Sequence, residues 1–446
     1  MSVLKREIEM LGEALRQARI AGASRAEAFC VTGTGRSVEY SDSGLESYRG
    51  SDAAGLGLRV FVGRKAGFAY GQDFTATGLV RLAVRAVESA KIAELPAFPT
   101  PRGSALKNDL GIFDAKGLAA AVADDRAQLE QIIEQARATD SAVRRIKSVS
   151  LRSGQRETVV RSSTGTETAY KRSSFSLVAG VVAERDGQSE LGWESDVATS
   201  RGALPWGTIG AAAATKAVSR LGAGRPVAGR QPVILDREVV AEFLSLFGTT
   251  LSADAVLKGR SPLAGKLGAA VAASTVTVID DPTLSGAAGS APCDDEGQPT
   301  RRKVLIDAGV LTGYLHSLET AHRMGVDPAG NGFRGSFESL PLPRPGNLVL
   351  QPGRRAPETW ARATGTIVLV DDILGAHTMN PVSGDFSVGA SGFICTRGIR
   401  RPFRGATIAG NLGELFASIA EVGDDLRFFG SVAAPSVLIS ALDLSA

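Results

Sequence analysis

The sequence predicts an α+β fold, with an antiparallel sheet and flanking helices in the first half of the chain and a β-rich second half. Short segments that alternate apolar and polar residues, separated by Gly, Ser and Asp, are typical of strands joined by tight turns. Amphipathic helical patterns flank these segments in the first half. The 446 residues include 52 glycines and are 43% hydrophobic, which is typical of a globular protein with many turns.

The first half is predicted to form a meander of strands covered by helices, because consecutive strands with short turns favour antiparallel pairing. The amphipathic helix at its start places Leu4, Ile8, Leu11 and Leu15 on one face. Helices are predicted at 4–21, 77–93, 118–140 and 203–221. Strands are predicted at 27–34, 37–43 and 44–52, in a hairpin over 55–74, and as four strands within 142–200. Residues 94–117 are rich in Pro, Gly and polar residues, which predicts a long surface connection; no fixed-period repeat is apparent.

A domain boundary is predicted where the chain reads GAGRPVAGR, at 222–230, with three glycines and one proline. The domains are therefore placed at 1–222 and 231–446, joined by a linker at 223–230. In the second domain, Asn411 is a predicted N-cap. The predicted elements there are strands at 232–236, 347–351, 365–371 and 434–440, helices at 237–252 and 411–422, a hairpin over 385–403, and a largely irregular stretch at 317–353.

Composition and charge narrow the classes of function. The net charge of +3 does not indicate direct nucleic-acid binding, and the arginines at 397, 400, 401 and 404 are interpreted as a solvated strand edge. Three widely spaced cysteines indicate no disulfide framework. A charged amino terminus without an apolar stretch is not a signal peptide, and no apolar run is long enough to span a bilayer. These features predict a soluble, cytoplasmic protein that does not associate with membranes.

Three segments carry a resemblance to a known family. NPVSGDFSVGASGF at 380–393 and PFRGATIAGNLGELFASIAEVGDDLRF at 402–428 resemble the C-terminal signature of the TldD/PmbA family, and GLGLRVFV at 55–62 resembles its N-terminal one. The family was once called modulators of DNA gyrase and is regarded as metallopeptidase subunits. The resemblance implies a barrel-like sheet in the β-rich domain. It also implies one of two kinds of chain, a zinc-bearing TldD type or a TldE (PmbA) type without the metal site.

The sequence at the family's zinc motif favours the TldE type. A zincin presents two histidines and an adjacent acid on one helix, so that both imidazoles reach one metal. The resemblance implies HExxxH on the helix after the first strand of the second domain, and a cysteine near the C-terminus. In this chain that helix reads REVVAEFLSLFGTT, with Glu238 and Glu242 but no histidine, and no cysteine follows Asp425. No cofactor is therefore expected in this chain.

The remaining candidate metal ligands are three histidines and three cysteines. His316 and His322 flank Glu319, but on an ideal helix the two imidazoles would lie about 120° apart, so structural roles are favoured over a cryptic metal site. His377 is expected to meet Cys395 across the hairpin as a polar contact. The acids beside Cys293 are expected to raise its pKa. Ser387, Ser391, His377 and Asp385 crowd one segment, but the chain has no GxSxG elbow.

The resemblance implies that this chain pairs with a TldD-type subunit that brings the zinc, and that the pair hydrolyses unfolded or leader-bearing peptides. A homodimer under the same symmetry is the expected alternative for the chain alone. Residues expected to face the peptide or the partner are Arg323, Asn331, Arg334, Asn347, His377, Asn380, Asp385, Ser387 and Asn411. In a sheet-rich cleft, a peptide is expected to add as a strand. The alternatives are a non-enzymatic regulator that binds a DNA topoisomerase, and a peptidase with an unrecognised metal site.

Overall fold

The first half of the chain consists of two units with the same architecture, each a helix, three strands and a second helix. The computed structural model describes residues 3–94, 96–100, 109–226, 228–397 and 399–445. The first unit comprises α1 (Val3–Ile20), β1 (Arg25–Ser41), β2 (Gly44–Val62), β3 (Lys65–Gly71) and α2 (Ala76–Ile92). The second follows a short α3 (Ala115–Leu118) and comprises α4 (Val122–Thr139), β4 (Val143–Ser162), β5 (Glu167–Arg185), β6 (Gln188–Ala198), a 3-10 turn (Arg201–Ala203) and α5 (Ile209–Arg220).

The two units share one antiparallel sheet with the strand order β3-β2-β1-β4-β5-β6. They meet where β1 pairs with β4, and Gly35 lies opposite Gly154 at the centre of that pairing. A Cβ atom on Gly154 would lie 2.8 Å from the carbonyl oxygen of Thr34, so glycine permits the close approach at this seam. Each unit packs its own helices on its half of the sheet and has its own apolar core.

Matching glycines show how closely the two units correspond. Gly67 on β3 lies opposite Val60 and lets helix α2 approach, because a Cβ there would lie 2.3 Å from the nitrogen of Ala90. Gly192 on β6 lies opposite Val181, and a Cβ there would lie 2.2 Å from the carbonyl oxygen of Ala213 in α5. The repeat is therefore one of architecture, and the sequence pattern did not reveal it.

The strand boundaries differ from the predicted ones because glycines inside long strands look like turns. The predicted strands at 27–34 and 37–43 are one strand, β1, and those at 44–52 and 55–62 are one strand, β2. Three long strands replace the four predicted within 142–200. The helices predicted from 118 and 203 begin at Val122 and Ile209. The predicted connection at 94–117 includes the start of α3, and its residues 101–108 lie outside the described part of the chain.

The second half is β-rich, as predicted. Its helices are α6 (Arg237–Thr250), α7 (Ala253–Leu257), α8 (Leu318–Met324), α9 (Pro357–Ala363) and α10 (Leu412–Ala417), with a 3-10 turn at Ala376–Thr378. Its strands are β7 (Gly229–Leu235), β8 (Val278–Asp280), β9 (Lys303–Asp307), β10 (Val310–Leu311), β11 (Gly332–Phe333), β12 (Leu342–Pro343), β13 (Leu348–Leu350), β14 (Thr366–Leu374), β15 (Asp385–Thr396), β16 (Ile399–Asn411), β17 (Ile419–Val422), β18 (Arg427–Phe429), β19 (Val432–Ala434) and β20 (Val437–Ser445).

Five of these strands close into a barrel, which confirms the predicted fold class. The order is β16-β15-β14-β7-β20, and β16 pairs with β20 to complete the ring. A second sheet has the order β10-β9-β8-β13-β19-β18. Helix α6 packs its apolar face into the core shared by the barrel and this sheet, where the ring centroids of Phe243 and Phe386 are 5.1 Å apart and those of Phe247 and Phe416 are 4.5 Å apart.

Two details of the second half differ from the prediction. The helix predicted over 411–422 ends at Ala417, and its last residues form β17, because Ile419 and Val422 pair with β20. The stretch at 317–353, predicted to be largely irregular, contains α8 and three short strands. In the part of the chain that the structure describes, no helix is long and apolar enough to cross a membrane.

The contact between Gly192 and helix α5 predicts a sharp response to one methyl group. Gly192→Ala places a Cβ against the helix backbone, so we expect the free energy of unfolding to fall by about 1–3 kcal/mol. Gly67→Ala is expected to do the same in the first unit. Gly50→Ala is the control, because no atom lies within 4 Å of its Cβ position. Urea unfolding followed by circular dichroism measures the difference, and equal stability of Gly192→Ala and Gly50→Ala would contradict the packing described.

Candidate functional site

Helix α6 occupies the place where the family resemblance implies a zinc motif, directly after β7. Asp236 caps the helix, since its side chain accepts a hydrogen bond of 3.0 Å from the backbone nitrogen of Glu238. Val239, Val240 and Phe243 are buried on the core side. Glu238 and Glu242 lie on the other side, towards the amino-terminal sheet and β14.

An ion-pair network fixes Glu238 to the second unit of the first half. The Lys216 ammonium, on α5, lies 2.6 Å from Glu238 Oε2 and 2.8 Å from Glu194 Oε2 on β6. Arg427, on β18, contacts Glu194 Oε1 at 2.5 Å. Burial opposes the charge on Lys216, but the two carboxylates outweigh it and raise the pKa of the lysine. The network therefore joins four elements, α5 and β6 of the first half and α6 and β18 of the second.

A second set of charges lies beside this network on β14. Arg220, on α5, is 3.2 Å from Asp372 and 3.4 Å from Asp371. Burial raises the pKa of Asp371 to about 6, against the attraction of Arg220. Burial also raises the pKa of Glu242, and the neighbouring carboxylates of Glu238 and Asp372 raise it further. Arg220 and Lys216 thus pair with three carboxylates of a group of four, Glu238, Asp371, Asp372 and Glu242.

The side chains on α6 do not fit a zinc ion. At the spacing of HExxxH, this chain places Arg237 and Glu242 where the two histidines would stand, with Glu238 at the position of the glutamate. A guanidinium stays protonated and cannot act as a ligand, and Arg237 donates to the backbone oxygen of Asp425 at 3.4 Å. Glu238 is engaged by Lys216. The side chains of this helix therefore do not support zinc chemistry.

The histidines and cysteines with described side chains do not lie together. His316 is buried and precedes Ser317, the N-cap of α8, whereas His322 is exposed on that helix, so the two do not share a helix face. Burial lowers the pKa of His316. Burial raises the pKa of Cys30 and of Cys293 to about 12, the neighbouring acids adding to it at Cys293 as predicted. Among the described residues, no three His, Cys, Asp or Glu side chains are grouped so as to hold a metal.

Three of the predicted site residues lie inside the protein and hold loops together. Asn331 donates to Asp280 at 2.7 Å, and Asn347 donates to the backbone oxygen of Asp281 and to Ser290 at 2.8 Å each. Arg334 pairs with Glu27 on β1 at 2.9 Å. Their amide and guanidinium groups are thus used within the chain, and all three side chains are buried.

Arg334 belongs to a buried chain of charges between the first unit and the second half. Glu27 bridges Arg334 and Arg59, its cross-strand neighbour on β2, and the distance to Arg59 is 2.6 Å. Arg59 also contacts Glu296 at 2.8 Å. Glu296 in turn accepts from the backbone nitrogen of Leu318 at 2.7 Å. Because each charge has a partner, the cluster can be buried without an isolated charge.

Three other predicted residues meet at the mouth of the barrel. Asn411 caps α10 and donates to Asp385 at 2.9 Å and to the backbone oxygen of Ser383 at 2.9 Å. The bond from Asn411 lowers the pKa of Asp385. Asn380 accepts from the backbone nitrogens of Val382 and Ser383, which shapes the turn. Asn411 also lines a cleft of about 570 Å³, whose other walls include Phe247, Leu263, Lys266 and Glu414.

The remaining predicted site residues are not brought into either group. Ser387 is exposed on β15, and Arg323 is exposed on α8, where it pairs with Glu319 at 3.4 Å. The backbone of His377 lies in the 3-10 turn, but its side chain is outside the described part, so its contact with Cys395 stays a prediction.

The ion pairs at α6 could not be predicted from the sequence, because their members are far apart in the chain. Glu194 and Arg427, for example, are separated by 233 residues. The one local indication of an ion pair is Lys216, which interrupts an alanine-rich helix. It lies beside the buried Ala213, Ala214 and Ala217. A charge next to the apolar stripe of a helix is either paired or extended into water, and the neighbouring residues do not show which.

Strand β2 has a free edge in the first half of the chain. Strand β2 pairs with β3 only over 56–62, and across residues 45–54 no described strand lies on its outer side. The Ala54 carbonyl faces outward, where Gln72 Nε2 donates to it at 3.0 Å. Since successive residues of a strand alternate in direction, Tyr48, Gly50 and Asp52 also present their backbone groups outward. In the second unit, the chain covers the matching part of β5, because the Ser173 nitrogen donates to Ile112.

Comparisons with known proteins agree with this architecture. Three family models match, described as PmbA/TldA metallopeptidase domain 1, central domain and C-terminal domain, over residues 26–90, 117–221 and 228–446. A PmbA metalloprotease homolog of Haemophilus influenzae is 27% identical, over 97% of this chain and 94% of its own length. A TldD metalloprotease homolog of the same organism is 29% identical, over 83% of this chain and 79% of its own length.

Solved structures show the same fold over the whole chain. A Thermotoga maritima protein named for the modulation of a DNA gyrase gives a TM-score of 0.89 at 26% identity, covering 98% of this chain and 99% of its own. TldE of Thermococcus kodakarensis gives 0.87 at 21% identity, covering 98% of this chain and all of its own. The domain matches, their order and the shared fold lead to one conclusion: the chain belongs to the PmbA/TldD metallopeptidase family.

Proposed function

We propose that this chain is a TldE/PmbA-type subunit, which carries no zinc of its own and works in the cytoplasm beside a TldD-type chain. The partner supplies the zinc and the hydrolytic chemistry, and this chain helps to hold unfolded or leader-bearing peptides. The proposal rests on α6. Arg237, Glu238 and Glu242 occupy the positions of the HExxxH motif, and Glu238 is paired with Lys216.

The chemistry of a general base supports this proposal. A glutamate that activates a metal-bound water must face that water and exchange a proton with it. Glu238 instead accepts from an ammonium that also binds Glu194, so its carboxylate stabilises the contact between two domains. Helix α6 therefore lies where the family's zinc motif is expected, but its Glu238 stabilises the contact between the two halves of the chain.

The comparisons support pairing with a related chain. This chain resembles both PmbA and TldD homologs, at 27% and 29% identity. Related chains that descend from a homodimer keep complementary surfaces, which favours a heterodimer of the two kinds and permits a homodimer of one kind. We propose the heterodimer as the working form and the homodimer as a form of the isolated chain.

The free edge of β2 gives a place for an extended peptide. Its outward N–H and C=O groups at residues 48, 50, 52 and 54 can pair with any peptide backbone, which provides affinity without strict sequence preference. The exposed side chains along this edge, such as Leu45 and Tyr48, offer contacts to the side chains of the bound peptide. This use of the edge agrees with a subunit that holds unfolded substrates of different sequences.

Glu238→Gln tests the assignment of the chemistry to the partner. We expect the complex of the variant with a TldD-type chain to cleave an unstructured peptide within about twofold of the wild-type rate, because Glu238 takes no part in the chemistry. The glutamate-to-glutamine change in the partner's HExxxH is the matched control and should cost about 100-fold or more. The assay measures the release of fluorescent peptide fragments.

A loss of about 100-fold in Glu238→Gln, with an unchanged melting temperature, would overturn the assignment. Capture of DNA gyrase, and of no TldD-type chain, by the tagged protein would instead favour the regulator of a topoisomerase.

Asp52→Pro tests the peptide-binding edge. Proline removes the outward N–H of residue 52 but leaves the hydrogen bonds between β2 and β1 in place, as is tolerated on edge strands. We expect about tenfold weaker binding of a labelled unstructured peptide, the equivalent of one lost hydrogen bond and a local clash. Asp52→Asn, which removes the charge and keeps the N–H, should bind within about twofold of wild type. Fluorescence polarisation measures both, and wild-type affinity in the proline variant would exclude this edge.

A further inference from the structure

A pocket of about 250 Å³ lies between the second unit of the sheet and the loops of the second half. It is separate from α6 and from the cleft at the mouth of the barrel. Strands β4 and β5 form one wall, and the backbone around Gly289 and Gly346 forms another. Its charged and hydroxyl-bearing residues are Arg156, Tyr170, Arg172, Asp295, Arg334 and Ser431.

Two arginines lie directly opposite each other in this pocket. Arg156 on β4 and Arg172 on β5 are cross-strand neighbours, and like charges in that position repel. Arg172 donates to the backbone oxygen of Ala288, and its burial, with the nearby Arg156, lowers its pKa. Within the described residues, the Arg156 guanidinium has no hydrogen-bond acceptor and no carboxylate within 4.0 Å. Its donors therefore face the pocket without a partner.

The acids of the pocket do not balance its positive charge. Asp295 is the acid among the lining residues, and its Oδ2 accepts from the backbone nitrogen of Arg334 at 2.7 Å. Burial raises the pKa of Asp295, against the attraction of Arg156. The Arg334 side chain is engaged by Glu27. Two guanidiniums thus face one carboxylate, which leaves about one positive charge without a counterion.

We infer that this pocket binds a small oxyanion, a carboxylate or a phosphate, held by the Arg156 and Arg172 guanidiniums. A planar guanidinium pairs with two oxygens of such a group. The anion relieves the repulsion between the two arginines. Burial raises the pKa of Tyr170, so its hydroxyl stays protonated and available as a donor. The terminal carboxylate of a peptide and free phosphate are the two sources of this chemistry. The inference concerns this chain alone and does not depend on the proposed function.

The experiment titrates the isolated chain at low ionic strength by calorimetry with three probes. They are inorganic phosphate, a short glycine-rich peptide with a free C-terminal carboxylate, and the same peptide as its C-terminal amide. Arg156→Gln is the test variant, since it removes the unpaired guanidinium. Arg152→Gln is the matched control, because Arg152 lies on the same strand, is exposed and does not line the pocket.

We expect saturable binding of phosphate or of the free-carboxylate peptide to the wild type, at least tenfold weaker binding to Arg156→Gln, and unchanged binding to Arg152→Gln. Preference for the free-carboxylate peptide over its amide would identify the peptide terminus, and preference for phosphate would identify the free anion. The unliganded variant should melt close to wild type, because the lost attraction to Asp295 and the relieved repulsion from Arg172 oppose each other. No saturable binding of either anion, or equal loss in both variants, would overturn the inference.

Discussion

The position of the second half against the amino-terminal sheet depends on ion pairs that cross between them. In the first unit, Glu27 lies between two guanidiniums, and Arg59 continues the chain to Glu296. In the second unit, Lys216 joins Glu194 to Glu238, and Arg427 completes the network. Buried charges of this kind are costly unless each has a partner, so the geometry of the two halves is restricted to one that satisfies both sets. Glu238 on α6 is held by the second of these networks, through Lys216.

The two units of the sheet share an architecture but differ at their outer edges. Both bring a helix against a strand at a glycine, Gly67 in one and Gly192 in the other. The chain covers the outer edge of β5 with its own segment at Ile112 and places a pocket beside it. Among the described residues, no strand pairs with the matching edge of β2. The two units thus share the same helix-to-strand packing but differ in the segment that lies along this edge.

Local sequence patterns predicted the fold class, the hairpin of β15 and β16, and the N-cap at Asn411, because each depends on neighbouring residues. They failed where distant residues decide. Gly35 looked like a turn, yet it lies in a strand opposite Gly154. Residues 419–422 have a helical pattern, but pairing with β20 makes them a strand. Asn331, Arg334 and Asn347 were predicted to face the peptide or the partner, and their side chains are buried. The sequence does not show which polar side chains will form hydrogen bonds or ion pairs within the chain, because their partners are distant, as Glu27 is from Arg334.

We propose that this chain holds no zinc and that α6 instead stabilises the contact between the two halves. The most direct measurement is the zinc content per chain, by elemental analysis of the purified, tag-free protein after dialysis against a weak chelator. We expect far less than one zinc per chain. A value close to one per chain would contradict it, and would direct mutagenesis to His316, His322, His377 and Cys395 as ligands.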